Sequence, residues 1–524
     1  MLIAATLIAY ASCLHSAPEA GQFSRYRAAL GGSMLSIVPV DGAEFIPLQH
    51  FDISIELHKL ISSQELDSIS YPDVSKISAT INGSPLETTF QKTFVAENWN
   101  FTYHIDAQSR DLKIKTHVAV TRLSLRSVFF QSPGSYVVVV EIGSEYVRAE
   151  FIVRSIGSRQ VRNMVLFIGD GMAPTMMNAA RYLSRETRFG KFGSNFLNID
   201  KLGTLGKMTT NGLDSIITDS ANSAAAYTSG QKGWVNTLNV YADTSSDTMD
   251  DPKVETIAEY IRQNRPGMCI GIVTTAEIQD ATPAAVYSHT RTREDKAWIN
   301  DQQINGFRHK NISWDPPAVR ADVLMGGGGK YFCASKTNGT LTKDCSPLNG
   351  QDYYQLYAGT GYTVIKTKTE LDNHSGEGPL VGIFHTSHID SWLDRSVYPE
   401  NMQLNHKHPD GSGSSATDIP GLEDMTMKAI EIMSNNPKCS DGFWMLVEAA
   451  TIDKEMHAMD YDRGLADLLE LDRTVKRVND WAIKNAAIHG ETGIIVTADH
   501  SQAYDVFGTV DTKYFNSQVL LTLT

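Results

Sequence analysis

From about residue 161 onward, short continuous apolar runs alternate with amphipathic segments. That alternation narrows the fold more than any other feature of the chain. The runs are NMVLFIG, CIGIVTT, VLMGG, LVGIF, FWMLVE and TGIIVTA. Among them lie VETIAEYIRQN, EDMTMKAIEIMSNN and LADLLELDRTVKRVNDWAIKNA, in which apolar residues recur at helical spacing. Strands that are apolar on both faces must be covered on both faces. The pattern therefore predicts an α/β domain with a central, mostly parallel sheet flanked by helices. Ligands of such sheets bind outside the carboxyl ends of the strands, so the residues just after strands are where chemistry is expected.

Residues 20–158 follow another rule. FDISIELHKL, VSKISATI, LKIKTHVAVTRLSL, SYVVVVEIG and YVRAEFIVRS are short alternating or β-branched runs, separated by turns such as INGSP and QSPGS. They predict a small all-β sandwich, immunoglobulin-like in type. It holds no cluster of catalytic residue types, so a structural or adhesive role, with contact to a cell surface or matrix, is expected of it. The polar break GSRQ, residues 157–160, separates it from a catalytic domain over 161–524.

The first residues are apolar from 2 to 14, and AYA precedes Ser12. This reads as a signal peptide over 1–17, although no Lys or Arg occurs before Arg25. No later stretch is long enough for a transmembrane helix. Secretion or a cell-surface location is expected, and Asn-x-Ser/Thr sequons at Asn82, Asn100, Asn311, Asn338 and Asn373 agree with it. Beyond Cys13 in the leader, Cys333 and Cys345 flank a polar, turn-rich segment and are expected to form a disulfide. Cys269 sits in the apolar run MCIGIVTT, where a buried free thiol is expected; Cys439 is the remaining cysteine, and none of them has metal-site spacing. The formal net charge of −14 argues against a nucleic-acid scaffold, while leaving room for a phosphate held by local cations.

Four strand ends carry conspicuous polar groups. They are Asp170 in FIGDGM, Asp280 and Thr282 in AEIQDATP, Glu448, Asp453 and His457 in VEAATIDKEMH, and Asp499 and His500 in VTADHS. Singly, each reads as a helix N-cap or as an ordinary surface or core residue. Together they suggest ions. Asp453 and His457, four apart, share one face of a helical turn, as two ligands of one metal require. Asp499 and His500, at a strand-to-loop turn, can face two neighbouring ions. Mixed carboxylate and imidazole sets suit zinc, and the all-oxygen set Asp170, Thr282 and Glu448 suits magnesium. Two metals about 4 Å apart can clamp the attacking and leaving oxygens of a phosphoryl transfer. In TDSANSAAAYTSGQK, Ser220 either begins a helix packed closely against a sheet or is a nucleophile among small neighbours. No G-x-S-x-G elbow or Ser-His-Asp wiring is visible, so metal activation is the route open to it.

VLFIGDGM, TDSANSAAAYTSGQK, AEIQDATPAAVYSHTRTR, VEAATIDKEMHAMD and VTADHS, in this order between about 161 and 505, resemble the sequence blocks of the alkaline phosphatase family. The resemblance implies hydrolysis of small phosphate monoesters through a phosphoserine on Ser220, two zinc ions and one magnesium ion, and a homodimer. Asp170 would bridge one zinc and the magnesium, Asp499 and His500 would complete that zinc, and Asp453 and His457 would bind the other. Thr282 and Glu448 would complete the magnesium shell, with Asp280 and Lys454 standing behind it. Arg293 would hold the phosphate, oriented by Asp219, with Arg291 ranked second; a guanidinium fits two phosphoryl oxygens.

One departure from the family concerns a further zinc histidine, in a Gly-His-Thr-like context several dozen residues beyond the ADH block. Only 24 residues follow His500 and none is His. The sequence is accordingly read as lacking a C-terminal part. The histidines of HTSH (385–388) and HKH (406–408) are the candidates to substitute for that zinc histidine, but both lie in polar, looped segments and are expected on the surface. MGGGGK (325–330) lacks the spacing and the hydroxyl of a phosphate-binding loop and reads as a glycine turn after a strand. Two alternatives stand beside the leading reading: a related phosphodiesterase or other superfamily enzyme, and a non-catalytic binding or adhesion protein with a degenerate phosphatase domain.

Overall fold

The computed structural model describes residues 35–104, 115–184, 196–213, 215–334, 336–337, 340–376 and 378–502. The signal-peptide segment, Cys13, Asn338 and everything after Gln502 lie outside them. The chain divides into two compact units. One comprises Met1–Ser158, Thr210–Arg265 and Ala284–Arg320; the other comprises Arg159–Thr209, Pro266–Pro283 and Ala321–Thr524.

In the first unit, β-branched and alternating runs form two sheets. A four-stranded antiparallel sheet is ordered Leu35–Val38, Phe51–Ile61, Lys115–Val128, Val95–His104. A five-stranded sheet is ordered Glu44–Phe45, Glu145–Val153, Gly134–Ile142, Ser78–Ile81, Ser84–Pro85. Alternate residues point inward, as period-two patterning requires: Val147, Ala149, Phe151 and Val153 are buried while Tyr146 and Arg148 are not. Phe45, Phe51 and Phe151 meet in the core, Phe45 stacked on Phe51 at 4.1 Å. Trp234, Tyr241 and Val254, from the segment after the Ser220 helix, belong to this same core. A polar knot accompanies it. Arg122, fully buried, donates to Glu97 at 2.7 Å, to Asp250 at 2.9 Å and to Asp243, and lies 4.9 Å over the Trp99 ring. Burial opposes its charge, but Asp243, Asp250 and Glu97 outweigh that and hold its pKa well above the ordinary value.

The second unit is built on a seven-stranded sheet. In chain order its strands are β1 (Asn163–Gly169), β2 (Cys269–Glu277), β3 (Val323–Gly327), β4 (Thr363–Ile365), β5 (Leu380–Ile383), β6 (Phe443–Ala449) and β7 (Thr492–Ala498). Across the sheet the order is β4-β5-β3-β2-β6-β1-β7, every pair parallel. β2 and β6 are buried at every residue, as the unbroken apolar runs require. The helices Leu422–Asn435 and Tyr461–His489 pack Ile430, Met433, Leu468, Leu471 and Val475 into the core with Val165, Phe167, Val273 and Val447. The six runs of the sequence reading are six of these strands; the three-residue edge strand β4 was too short to register as a pattern. The helix Ile257–Asn264, from VETIAEYIRQN, belongs to the first unit.

Two expectations need correction. Cys269 is not a free thiol but is bonded to Cys439, their Cα atoms 5.1 Å apart. Cys269 begins β2 opposite Phe443 of β6, and Cys439 lies in the turn leading into β6, so strand adjacency brings them together. His385 is not on the surface: it is 5% exposed, and burial pushes its pKa down to about 4. Cys333 and Cys345 are bonded as expected. The run Gly326–Gly329 is a turn closing β3. A Cβ on Gly327 would overlap the Ser387 carbonyl oxygen, and Gly328 has φ +95°.

Candidate active site

The four strands whose ends carry the candidate ligands, β2, β6, β1 and β7, are consecutive in the sheet. Strand separation of about 4.8 Å therefore sets their carboxyl-end residues side by side. Asp170 follows β1 and is turned by Gly171 at φ +63°, whose N–H donates to Asp499 Oδ1 at 3.0 Å. Space also demands this glycine, since a Cβ there would lie 2.7 Å from Asp453 Oδ1.

Asp170, Asp499 and His500 each bring one ligand atom to within 4.8 Å of the others. His500 Nε2 lies 3.6 Å from Asp170 Oδ1 and 3.3 Å from Asp499 Oδ2. The adjacent pair Asp499–His500 thus converges on one cluster with Asp170. On the short helix Thr451–His457, Asp453 and His457 share a face, with His457 Nε2 3.1 Å from Asp453 Oδ2. Glu448, near the end of β6, stands in register with Ile168 on one side and Thr274 on the other, and the Thr274 hydroxyl donates to it. Lys454 Nζ donates to Asp280 Oδ2 at 3.1 Å.

The electrostatics of this group are those of carboxylates crowded together under burial. Burial, then Asp499 and Asp453, push the Asp170 pKa well above the carboxylate range. Burial also raises Asp453 against the opposing pull of His457 and His500. Glu448 is pushed up to about 7 by burial, against the Thr274 and Thr282 hydroxyls. Three buried oxygens, Asp170 Oδ1, Asp453 Oδ1 and Asp499 Oδ2, accept no hydrogen bond. Unsatisfied buried carboxylate oxygens are costly. Oxygens converging with an imidazole nitrogen form a donor set that fits a divalent metal.

In the first unit, Ser220 is the first residue of the helix Ser220–Ser229 and is 6% exposed. Asp219 is its N-cap, accepting from Ala221 N and Asn222 N at 3.3 Å each, and Asn222 Oδ1 accepts in return from Asp219 N at 3.1 Å. Ala221, Ala224 and Ala225 are buried, and Gly230 ends the helix at φ 78°. Arg293 Nη1 lies 3.3 Å from Asp219 Oδ2. Arg291 is engaged elsewhere: Nη1 donates to the Asp243 carbonyl and to Asp243 Oδ1 at 2.8 and 2.9 Å, and Nη2 to the Ser245 and Asp247 carbonyls at 2.8 and 2.6 Å. Of the two arginines, Arg293 is the one placed beside the Ser220 helix cap.

Two neighbours escaped the sequence reading, and a third, His388, was expected on the surface. Thr274 binds Glu448. Gln502 pairs its side-chain amide with His457 Nδ1 at 3.3 Å. His388 lies with Nδ1 3.9 Å from Asp280 Oδ2 and accepts from Glu277 N at 3.1 Å. Only the strand order reveals these contacts, and no local motif announces them. His406 and His408 do lie in surface loops, as expected.

Residues 161–522 match the family model "alkaline phosphatase", and residues 34–154 match the model of a PhoA-like N-terminal domain. Alkaline phosphatase H of Pseudomonas aeruginosa is 30% identical over 371 residues, 67% of this chain and 72% of that protein. The alkaline phosphatase of Escherichia coli is 30% identical over 378 residues, 68% of this chain and 74% of that protein. The crystal structure of Thermus thermophilus alkaline phosphatase superposes with a TM-score of 0.53 at 23% identity, covering 70% of this chain and 65% of that one, a likeness of fold.

Proposed function

The chain belongs to the alkaline phosphatase family, and from that membership we propose that it hydrolyses phosphate monoesters through a phosphoserine formed on Ser220. The observation that carries the reading is the convergence of Asp170, Asp499 and His500 with buried, unsatisfied carboxylate oxygens at adjacent strand ends. Asp170, Asp499 and His500 would hold one zinc, Asp453 and His457 a second, and Asp170, Thr282 and Glu448 a magnesium. Bound there, such ions supply Lewis-acid stabilisation of the attacking and leaving oxygens.

The remaining work falls to the chain itself. The phosphate of the ester lies at the N-terminus of the Ser220 helix, the positive end of its dipole. Arg293 holds two of its oxygens, and Asp219 sets the direction of the guanidinium. Ser220 Oγ bonds to phosphorus as the ester P–O bond breaks and the alcohol leaves. Water then cleaves the phosphoserine and frees phosphate. Lys454 and Asp280 steady the magnesium side through their 3.1 Å contact.

We keep the division into a sandwich over 20–158 and a catalytic domain over 161–524, extracellular placement and a homodimer as parts of the same proposal. No described helix is long and apolar enough to cross a membrane.

Ser220→Ala tests the reading. Hydrolysis of p-nitrophenyl phosphate should fall to background while zinc and magnesium content stays as in the wild type. Turnover that survives the substitution overturns the assignment. Rates on monoesters, diesters and sulfate esters, compared for the wild type, separate it from the related superfamily chemistries.

A further inference from the structure

Within the first unit lies a cavity of about 480 Å³, inside the range of small-molecule sites, roughly 300–1,000 Å³. Phe101 and Thr102 of the sandwich strand Val95–His104 form part of its wall; Trp234, Val235 and Asn236 form another; Thr292 closes it beside Arg293. Asn236 ties this cavity to the phosphate-holding pair. Its backbone N–H donates to Asp219 Oδ1 at 2.9 Å, and its carbonyl accepts from Arg293 N at 3.1 Å. Its side-chain amide donates to Thr292 Oγ1 at 3.1 Å. A single residue thus braces Asp219 and Arg293 and walls the cavity.

We propose that this cavity receives the alcohol portion of the phosphate ester, and that it selects alcohols carrying a flat apolar or aromatic ring. The proposal rests on the reading of Ser220 and Arg293 given above. Phe101, half-buried, and Val235, itself 39% exposed, offer apolar surface, with the buried Trp234 ring packed into the core behind them. The charged groups at the cavity's edge are already paired. Arg291 is held by Asp243 and two carbonyls, and Asp243 is held by Arg122 and Arg291. A second anion or a cation would find no partner there, whereas a neutral ring loses only water. The Thr292 hydroxyl, which accepts from Asn236 and from Glu294 N, still has its own proton to donate to a polar substituent on that ring. The sandwich domain, through Phe101, thereby becomes part of the specificity apparatus.

The test compares 2-phenylethyl phosphate with ethyl phosphate, whose alcohols are of similar acidity, so the ratio of kcat/KM reports contact with the carbon skeleton. The wild type should favour the phenyl ester by about tenfold or more. Phe101→Ala and Val235→Ser should each lower that ratio severalfold. Val235→Trp, which fills the cavity from a partly exposed position, should bring it near one. A wild-type ratio near one overturns the proposal, as does a loss in these variants that both esters share equally. Turnover surviving in Ser220→Ala would instead sink the reading of the catalytic site. Hydrolysis that depends on Ser220 yet shows no ring preference sinks this inference alone.

Discussion

Arg293 Nη1 and Asp219 Oδ2 lie 3.3 Å apart, and the same carboxylate caps the helix that Ser220 begins. One side chain therefore sets both the direction of the guanidinium and the start of the helix, so the two duties can be separated by substitution. Asp219→Asn keeps an effective cap and removes the charge. Its stability should stay within about 0.5 kcal/mol of the wild type, while inorganic phosphate inhibits at a severalfold lower concentration because no carboxylate repels it. Asp219→Ala should additionally lose about 1 kcal/mol of stability. Thermal melts and phosphate inhibition constants check both, and unchanged inhibition in Asp219→Asn would count against a carboxylate acting at the phosphate.

The two arginines of SHTRTR should fail in different ways. Arg293→Ala should cut kcat/KM about a hundredfold, the value of a charge-assisted bidentate contact, with an almost unchanged melting temperature. Arg291→Ala takes from Asp243 one of its two guanidinium partners and from Asp251 the guanidinium 3.6 Å away, both buried carboxylates whose pKa values burial already raises. It should cost about 3 kcal/mol of stability. Denaturant unfolding beside steady-state kinetics distinguishes them. A stable Arg291→Ala enzyme with weakened phosphate binding would reverse the assignment.

Removing metal should change how stability depends on pH. Without cations, burial lifts the folded-state pKa of Glu448 to about 7, above its unfolded value near 4.3. The folded protein then binds more protons than the unfolded chain across that window. Stability of the chelated protein should therefore decline as pH rises from roughly 4 to about 7. Loaded metal holds these carboxylates ionised, so the decline should vanish in the holoprotein. Urea midpoints at several pH values, with and without chelator, read this out; parallel profiles would show that Glu448 and its neighbours do not bind metal.

The bond between Cys269 and Cys439 spans a sequence separation of 170 residues. Cys439→Ser should lower stability by up to about 5 kcal/mol, since long loops lose most closure entropy. Alkylation of the denatured, unreduced protein should leave Cys269, Cys333, Cys345 and Cys439 unmodified. Peptide mass analysis showing alkylated Cys269 would restore the free thiol expected from its apolar surroundings.

Local pattern was enough to anticipate six of the seven strands and the polar residues that stand at their ends, because burial on both faces writes itself as unbroken apolar runs. β4 escaped because three residues carry no period. The Cys269 pairing escaped because it depends on β2 lying beside β6, a fact of sheet order that no window of sequence contains. Thr274 and Gln502 were hidden for the same reason, as was the place of His388 beside Asp280. The burial of His385 was missed because a polar loop lies folded onto the end of β3, where Gly329 N donates to its carbonyl at 2.9 Å. Arg293 and Arg291 were ranked by spacing alone, and only the carbonyls gathered around Arg291 show why the two differ.

The fully buried Arg122 stands in register with Glu56 on one neighbouring strand and Glu97 on the other, and it reaches Asp243 and Asp250 across the shared core. For anyone wishing to shrink this protein to a minimal catalyst, that guanidinium is a lock. A chain cut to start at residue 159 would leave Asp250 without the arginine that neutralises it and Asp243 with Arg291 alone. Nor would a borrowed β-domain serve in place of the native one unless it carried a cation at the matching rung. The sandwich and the segment after Ser220 have to be inherited, exchanged or redesigned as one cassette.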